Sequence, residues 1–451
     1  MAPDSEGKAA ALHLADIRQV KRLRRQLRLF PRQFWLLVGG TLFYITFIGL
    51  AFPYTAILLK GRLSVSVAVV GVIMGLTALG GLPLQPLAGS LCDRFGRRAV
   101  MITCAAMETL MYGGLAFAHG FWLVCALLFC DRALGWPLFL TASNAMVADL
   151  VRPRLRAEGY SLVRLMIGAG EIVGPLVAAL LLAAGVTLPV LFVAASLGCL
   201  IYLGFTLLVL KESKPVRRRR ATSPGEAIEV FGSLVLSLLP SRRARRRGAG
   251  RPAGYGHVLR DRRFLAFCGI SLLPLFVFGQ LYSSFPLLLT SVLHLRPASW
   301  GLLLSFSSLV IVVSQYPVVR AAKRVDPMLA VALASTLFGL GVGLVAFVPV
   351  GAVLLVPVVA LSLAQALFGP LTSAIVAQMA PLELRGRYMG SWTLIYIAGQ
   401  GALGPLLGGL LLDRFGAHAS YGLLIVCGLA GACLYPLLRA KTSVTEQQLA
   451  G

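Results

Sequence analysis

Carboxylates are few in this chain. Seventeen Asp and Glu stand against 42 Lys and Arg, for a net charge of +25, and charged residues make up only 13% of 451 positions. An ordinary soluble domain carries about 25%, so a water-facing globule is excluded. Histidine is sparse. The eight cysteines (Cys92, Cys104, Cys125, Cys130, Cys199, Cys268, Cys427 and Cys433) lie scattered in or beside apolar runs without a Cys-x-x-Cys pair. Neither a disulfide framework nor a zinc site is expected, and the cysteines read as small apolar packing residues. The Gly-rich Lys motif that cradles phosphate is missing, as is any catalytic constellation, so enzymatic chemistry and a bound cofactor or metal are not expected. The positive charge does not point to nucleic acid either. It is confined to an N-terminal arm, a middle linker and short loops, the placement that suits anionic lipid.

What the chain has in excess is apolar length: 58% of it is hydrophobic, in recurring runs of about 20 residues that fit a bilayer crossing as helix. The runs are too long and too uniformly apolar for the strands of a membrane barrel. Six spans are expected near 34–58, 66–88, 99–118, 122–147, 160–183 and 187–210, and six more near 264–289, 299–319, 328–348, 350–378, 388–411 and 419–438. The fold class is therefore an all-α membrane protein of twelve transmembrane helices. Its expected parts are a basic arm (1–33), a six-helix bundle (34–210), a basic linker (211–262), a second bundle (263–439) and a tail (440–451). In the arm, Ile17, Val20, Leu23, Leu27 and Phe30 recur at helical spacing among basic residues, which fits either an amphipathic helix on the inner leaflet or a disordered basic tail. A cleaved signal peptide is not expected, because the first apolar run starts late and is too long. In the linker, Ala227–Leu239 is too short to span and reads as an interfacial helix. Arginine and lysine fall almost wholly on alternate loops, which places both termini and the linker in the cytoplasm, in the inner membrane of a bacterium.

One loop on that basic side is unlike the rest. Gly89-Ser-Leu-Cys-Asp93-Arg94-Phe-Gly96-Arg97-Arg98 joins the second and third spans. The positive-inside rule explains its arginines but not Gly, Asp and Gly at these spacings. Both glycines allow a sharp turn. Asp93 can accept from backbone N–H groups at a helix N-terminus. Arg97 can pair with a carboxylate on another helix, with Asp149 the candidate. The stretch resembles the Gly-x-Leu-Ala-Asp-Arg-x-Gly-Arg-Lys signature of the major facilitator superfamily, with Cys92 and Arg98 as mild substitutions. The resemblance implies two six-helix bundles and a latch that joins them when the protein faces outward.

The halves also echo each other. Gly170-Glu171-Ile-Val-Gly174-Pro175 in span 5 parallels Gln400-Gly-Ala-Leu-Gly404-Pro405 in span 11, as expected of a duplicated unit with a site between its copies. Gly170, Gly174 and Pro175 further resemble the span-5 motif of drug:proton antiporters in that superfamily, with Ala178 and Ala179 replacing two glycines. Small residues there let helices approach closely. Glu108, Asp131, Arg132 and Glu171 lie at similar depth, where each charge costs roughly 2.5–3.5 kcal/mol on insertion scales. Three carboxylates against one guanidinium imply that one carboxyl holds a proton, with Glu171 and Asp131 the favoured carriers; the alternative is a static ion pair of Arg132. Arg132 loosely resembles the span-4 arginine of the superfamily. The first span lacks the acidic residue that antiporters of this kind often carry. Tyr44, Phe47, Gln280, Tyr282, Trp392 and Tyr396, with Phe43 and Phe276, are the expected cavity wall, although each ring could equally face lipid or core. An aromatic, apolar cavity suits hydrophobic or cationic compounds. The expected activity is proton-coupled efflux of such compounds by a monomer that also touches anionic lipid. Uptake of a metabolite, or a non-transporting scaffold, are the alternatives.

Overall fold

A computed structural model describes residues 29–82, 87–213 and 255–439. The arm up to residue 28, the expected interfacial helix at 227–239 and the tail from 440 lie outside them. Every regular element among the described residues is helical. The first half comprises α1 (Arg32–Leu63), α2 (Val67–Gly81, resuming as Leu87–Phe95), α3 (Arg97–Phe117), α4 (Phe121–Leu150), α5 (Pro153–Ala183) and α6 (Leu188–Leu208). The second half comprises α7 (Arg262–Tyr282), α8 (Pro297–Ala322), α9 (Pro327–Ala346), α10 (Ala352–Met379), and α11 and α12, which divide the 54-residue run Arg385–Leu438 at Gly416. Ten of these runs are long and apolar enough to cross a bilayer; the division at Gly416 and the shorter Val67–Gly81 helix make the count consistent with twelve.

Irregularities in the helices have local causes. Pro53 turns α1 into one short stretch of tighter helix at Phe52–Tyr54. Gly135 interrupts α4 with φ −84° and ψ −112°, and Pro137 starts the second part. Gly96 (φ 94°) and Gly416 (φ 72°) adopt a left-handed backbone that glycine alone takes without strain. Both close the same tetrad, Asp-Arg-Phe-Gly. Gly89 is a correction to the expected turn. It sits inside the Leu87–Phe95 helix, because α2 runs on past the apolar boundary, and Gly96 makes the bend by itself.

The duplication is visible in the packing. In the first half α5 lies on α1, where a Cβ on Gly174 would meet the Gly49 Cα at 2.7 Å. In the second half α11 lies on α7, where a Cβ on Gly279 would meet the Gly404 Cα at 2.7 Å. One sequence offset relates both pairs. Close helix approach through small residues is the packing that lipid favours, since no hydrophobic force draws helices together there.

Contacts between the halves are uneven along the membrane normal. α2 packs on α11 and α5 on α8. Close approaches join Gly71 to Pro405 and Gly409, Gly75 to Ala402, and Gly301 to Tyr54, Pro175 and Ala179. Trp300 Nε1 donates to Pro53 O across the interface at 2.9 Å. All four lie toward the end remote from the basic loops. Nearer those loops Leu140, Asn144, Tyr160 and Arg164 are exposed and border a cavity of about 460 Å³. The named contacts between the halves thus gather away from the basic loops, while the cavity between α4 and α5 lies nearer to them.

Candidate functional site

At the basic end the α2–α3 turn is held by a chain of polar contacts. Arg97 is buried although charged, at 7% exposure. Its Nε donates to Asp149 Oδ2 at 2.9 Å, its Nη2 to Asp93 Oδ1 at 3.1 Å and its Nη1 to Cys92 O at 2.7 Å. These partners all belong to the first half. Arg94 lies on the adjoining Phe95 ring, 5.4 Å from its centroid. The first N–H groups of α3 are orphans by helix geometry. Glu212, just past α6, accepts from Arg97 N and Arg98 N, both at 3.0 Å, while Ser213 Oγ donates to Asp149 at 3.0 Å. The sequence reading missed Glu212. Its signal was a lone acid at the end of an apolar span, five residues before a run of arginines. In the second half Asp326 caps α9 through Met328 N at 2.9 Å and pairs with Arg439 at 3.2 Å.

The opposite end carries a second acid that the sequence reading passed over. Gly409-Leu-Leu-Leu-Asp413-Arg414-Phe415-Gly416 repeats the Gly-x-Leu-x-Asp-Arg-Phe-Gly of Gly89–Gly96, and its glycine bends the same way. Asp413 Oδ2 accepts from Ala68 N at 2.8 Å, at the N-terminus of α2, so a carboxylate of the second half caps a helix of the first. Ser66 Oγ takes the next donor, Val69 N.

Mid-membrane, Glu108 and Asp131 are 2% and 6% exposed. They converge where Gly135 interrupts α4: a Cβ on Gly135 would sit 2.5 Å from Asp131 Oδ1 and 2.8 Å from Glu108 Oε1. Glu108 Oε2 is buried without a hydrogen-bond partner. Arg132 stands within electrostatic reach of both carboxyl groups and lies over the Phe52 ring, 5.4 Å from its centroid. Among the described residues no salt bridge joins it to either acid or to Glu171.

Glu171 stands apart from that pair. It is exposed, two turns from Arg164 on the same face of α5. Arg164 corrects the expected tally of one guanidinium against three carboxylates. The reading started span 5 at residue 160 and left Arg164 in its first turn, whereas α5 begins at Pro153 and carries Arg164 well inside. Glu171 and Arg164 are both within electrostatic reach of Tyr282, and Arg164 also of Tyr396, so both face the second half. Gly170 and Gly174 press α5 onto Ile45, Thr46 and Gly49 of α1, and Pro175 O lies against Gly301 of α8.

Of the expected cavity wall, Tyr282 and Tyr396 border the space between the halves, and Tyr282 meets Phe52 of the first half at 5.1 Å. Tyr44, Phe47, Gln280 and Trp392 do not, because each packs within its own half. Tyr44 is fully buried, stacked on Tyr202 at 4.5 Å and bonded to Cys104 Sγ at 3.1 Å. Phe47 packs on Gly198 of α6. Gln280 ties α7 to α11, donating to Phe276 O and Gly404 O at 3.0 Å each. Trp392 is buried against Phe267. Phe276 lines a separate apolar hollow of about 710 Å³ between α7, α11 and α12.

Two related six-helix halves packed against each other, with ionisable groups sunk among their helices, define a membrane transporter built from two parallel copies of one helical unit. The chain belongs to the Major Facilitator Superfamily, whose family model matches residues 36–339 and 281–450. It is thus an integral, multi-pass membrane protein. It is 25% identical over 396 residues to the Multidrug resistance protein MdtH of Cronobacter sakazakii, covering 84% of this chain and 86% of that one. It is 21% identical over 382 residues to a Na(+), Li(+), K(+)/H(+) antiporter of Planococcus maritimus, covering 80% and 85%. Among solved structures, the peptide transporter POT in complex with sulfate shares the fold, with TM-score 0.69 at 16% identity, covering 91% of this chain and 95% of that one.

Proposed function

We propose that this protein exports small hydrophobic or cationic compounds in exchange for protons, by alternating access. The observation that carries the reading is the Glu108–Asp131 pair. Two carboxyl groups buried against one glycine cannot both be charged cheaply, so the pair is built to hold and release a proton. A pair in this position replaces the acid that α1 lacks, since α1 has no Asp or Glu. Glu171, which the sequence favours as a carrier, lies in the opening and is suited to meet substrate. The likeness to a multidrug resistance protein and to a cation/H(+) antiporter supports export and proton coupling.

The two Asp-Arg-Phe-Gly turns supply the alternation. With basic loops cytoplasmic, the structure is the inward-open state, latched on the outer side by Asp413 on α2. In the outward-open state the Arg97–Asp93–Asp149 cluster takes over as the latch at the cytoplasmic side. The protein works as a monomer in a bacterial inner membrane with both termini cytoplasmic, its basic arm and linker on anionic lipid.

The test is transport of ethidium by purified protein in liposomes under an imposed pH gradient. Glu108→Gln is expected to abolish gradient-driven accumulation while leaving downhill exchange. Undiminished gradient-driven accumulation in both Glu108→Gln and Asp131→Asn would sink the coupling scheme.

A further inference from the structure

Arg164 and Glu171 have no part in the proton pair or in either latch. Tyr160, Arg164, Ile167 and Glu171 recur every three or four residues and share one face of α5. Arg164 lines the cavity at the basic end together with Asn144 of α4 and Tyr160. Neither Arg164 nor Glu171 has a salt bridge or hydrogen-bond partner among the described residues, and both are exposed. Seven residues of helix separate their Cα atoms by about 10 Å, so each feels the other's charge but no salt bridge joins them among the described residues, and space for a ligand's groups lies between. Facing them across the gap are Tyr282 and Tyr396, which bring ring faces and hydroxyls but no charge.

Open to water, two such charges are solvated. When the basic end closes, water leaves and each must find a counter-charge, because an unpaired ion in low dielectric is costly. A lipophilic cation answers Glu171 and is repelled by Arg164. An anion does the reverse. A molecule with both charges, spaced like the two side chains, answers both.

Resting on the transport reading above, we propose that the preferred substrate is dipolar: an amphiphilic compound with a cationic group that seats at Glu171 and an anionic group that seats at Arg164, its apolar middle between Ile167 and the two tyrosines. The Arg164 end lies toward the open mouth and the Glu171 end deeper, so the compound enters amine first.

The experiment uses three matched probes on the full-length protein: a rigid aminomethyl-biphenyl carboxylic acid, its methyl ester (cation only) and its N-acetyl derivative (anion only). Binding is read by intrinsic fluorescence in detergent, without a proton gradient, and flux separately in liposomes. The wild type is expected to bind the dipolar acid about tenfold more tightly than either derivative, the gain of one charge pair at each step. Arg164→Gln should erase the preference over the ester by weakening binding of the acid about tenfold, with ester binding unchanged or tighter as its repulsion is lost, and Glu171→Gln should erase the preference over the N-acetyl form. Equal binding of ester and acid by the wild type overturns the inference, as does unchanged binding of the acid in Arg164→Gln. So does failure of all three probes to bind. Dipolar preference in binding without proton-driven flux would remove the coupling reading and leave this inference standing. Proton-driven flux of the ester without dipolar preference would do the opposite.

Discussion

Arg97 shows how much one buried charge asks of its surroundings. A guanidinium has five donors and no way to shed its proton, and here it is held by two carboxylates and a carbonyl. Asp149→Ala removes one carboxylate. Breaking a buried pair costs about 3–5 kcal/mol, but the Asp149 side chain is 25% exposed, so solvent screening reduces this to about 1–3 kcal/mol. A clear drop in melting temperature is expected. Glu212→Ala acts more locally. It frees two N–H groups of α3 and should cost about 0.5–2 kcal/mol, as loss of a helix cap does. Hydrogen exchange is expected to speed up over residues 97–101 and nowhere beyond. A global rise in exchange would show that Glu212 holds more than the helix end.

Helix α4 owes its use to one break. Without Gly135 the strand of helix from Phe121 would run on, and a side chain at that point would occupy the space where Asp131 Oδ1 and Glu108 Oε1 come together. Gly135→Ala therefore pushes the two carboxyl groups apart without removing either. The expected result is a protein that folds, with about 1–3 kcal/mol lost to overpacking, and that has lost gradient-driven transport much as Glu108→Gln does. If Gly135→Ala retains full coupling while both acids are required, their proximity is irrelevant and each acts alone. In α5 the same logic of small residues serves closure: Gly170 and Gly174 admit α1, and the face one step round the helix is left to Arg164 and Glu171.

At the scale of the whole molecule the question is which end is shut. Asp413 on the α2 N-terminus is worth about 0.5–2 kcal/mol by analogy with other capping acids, enough to move a balanced equilibrium by up to about thirtyfold. Asp413→Ala should therefore raise the population closed at the basic end. Spin labels at Phe95→Cys and Leu382→Cys, both exposed there, are expected to show more of the shorter distance. An unchanged distance distribution would mean that the Gly71–Gly409 and Gly75–Ala402 packing sets the state without the acid.

Much of this could be read from residues alone. The twelve apolar runs, the halves and the basic side follow from the price of charge and of unpaired backbone in oil, which acts on every residue wherever its neighbours are. The pairing of Arg97 with Asp149 was also nameable, because the α2–α3 stretch is polar where little else is. Which rings face the opening was not. Tyr44, Phe47, Gln280 and Trp392 have the same apolar or neutral character whether they look inward, outward or across, and only the packing of α1 on α6 and of α7 on α11 turns them away. The role of Asp413 was likewise hidden, since its partner is a backbone N–H at Ala68, 345 residues earlier, and a backbone donor has no letter in the sequence. Composition decided that the chain lies in a membrane as a many-helix bundle. Where its few charges meet was decided by helix packing, because contact between distant residues depends on three-dimensional placement that no local pattern encodes.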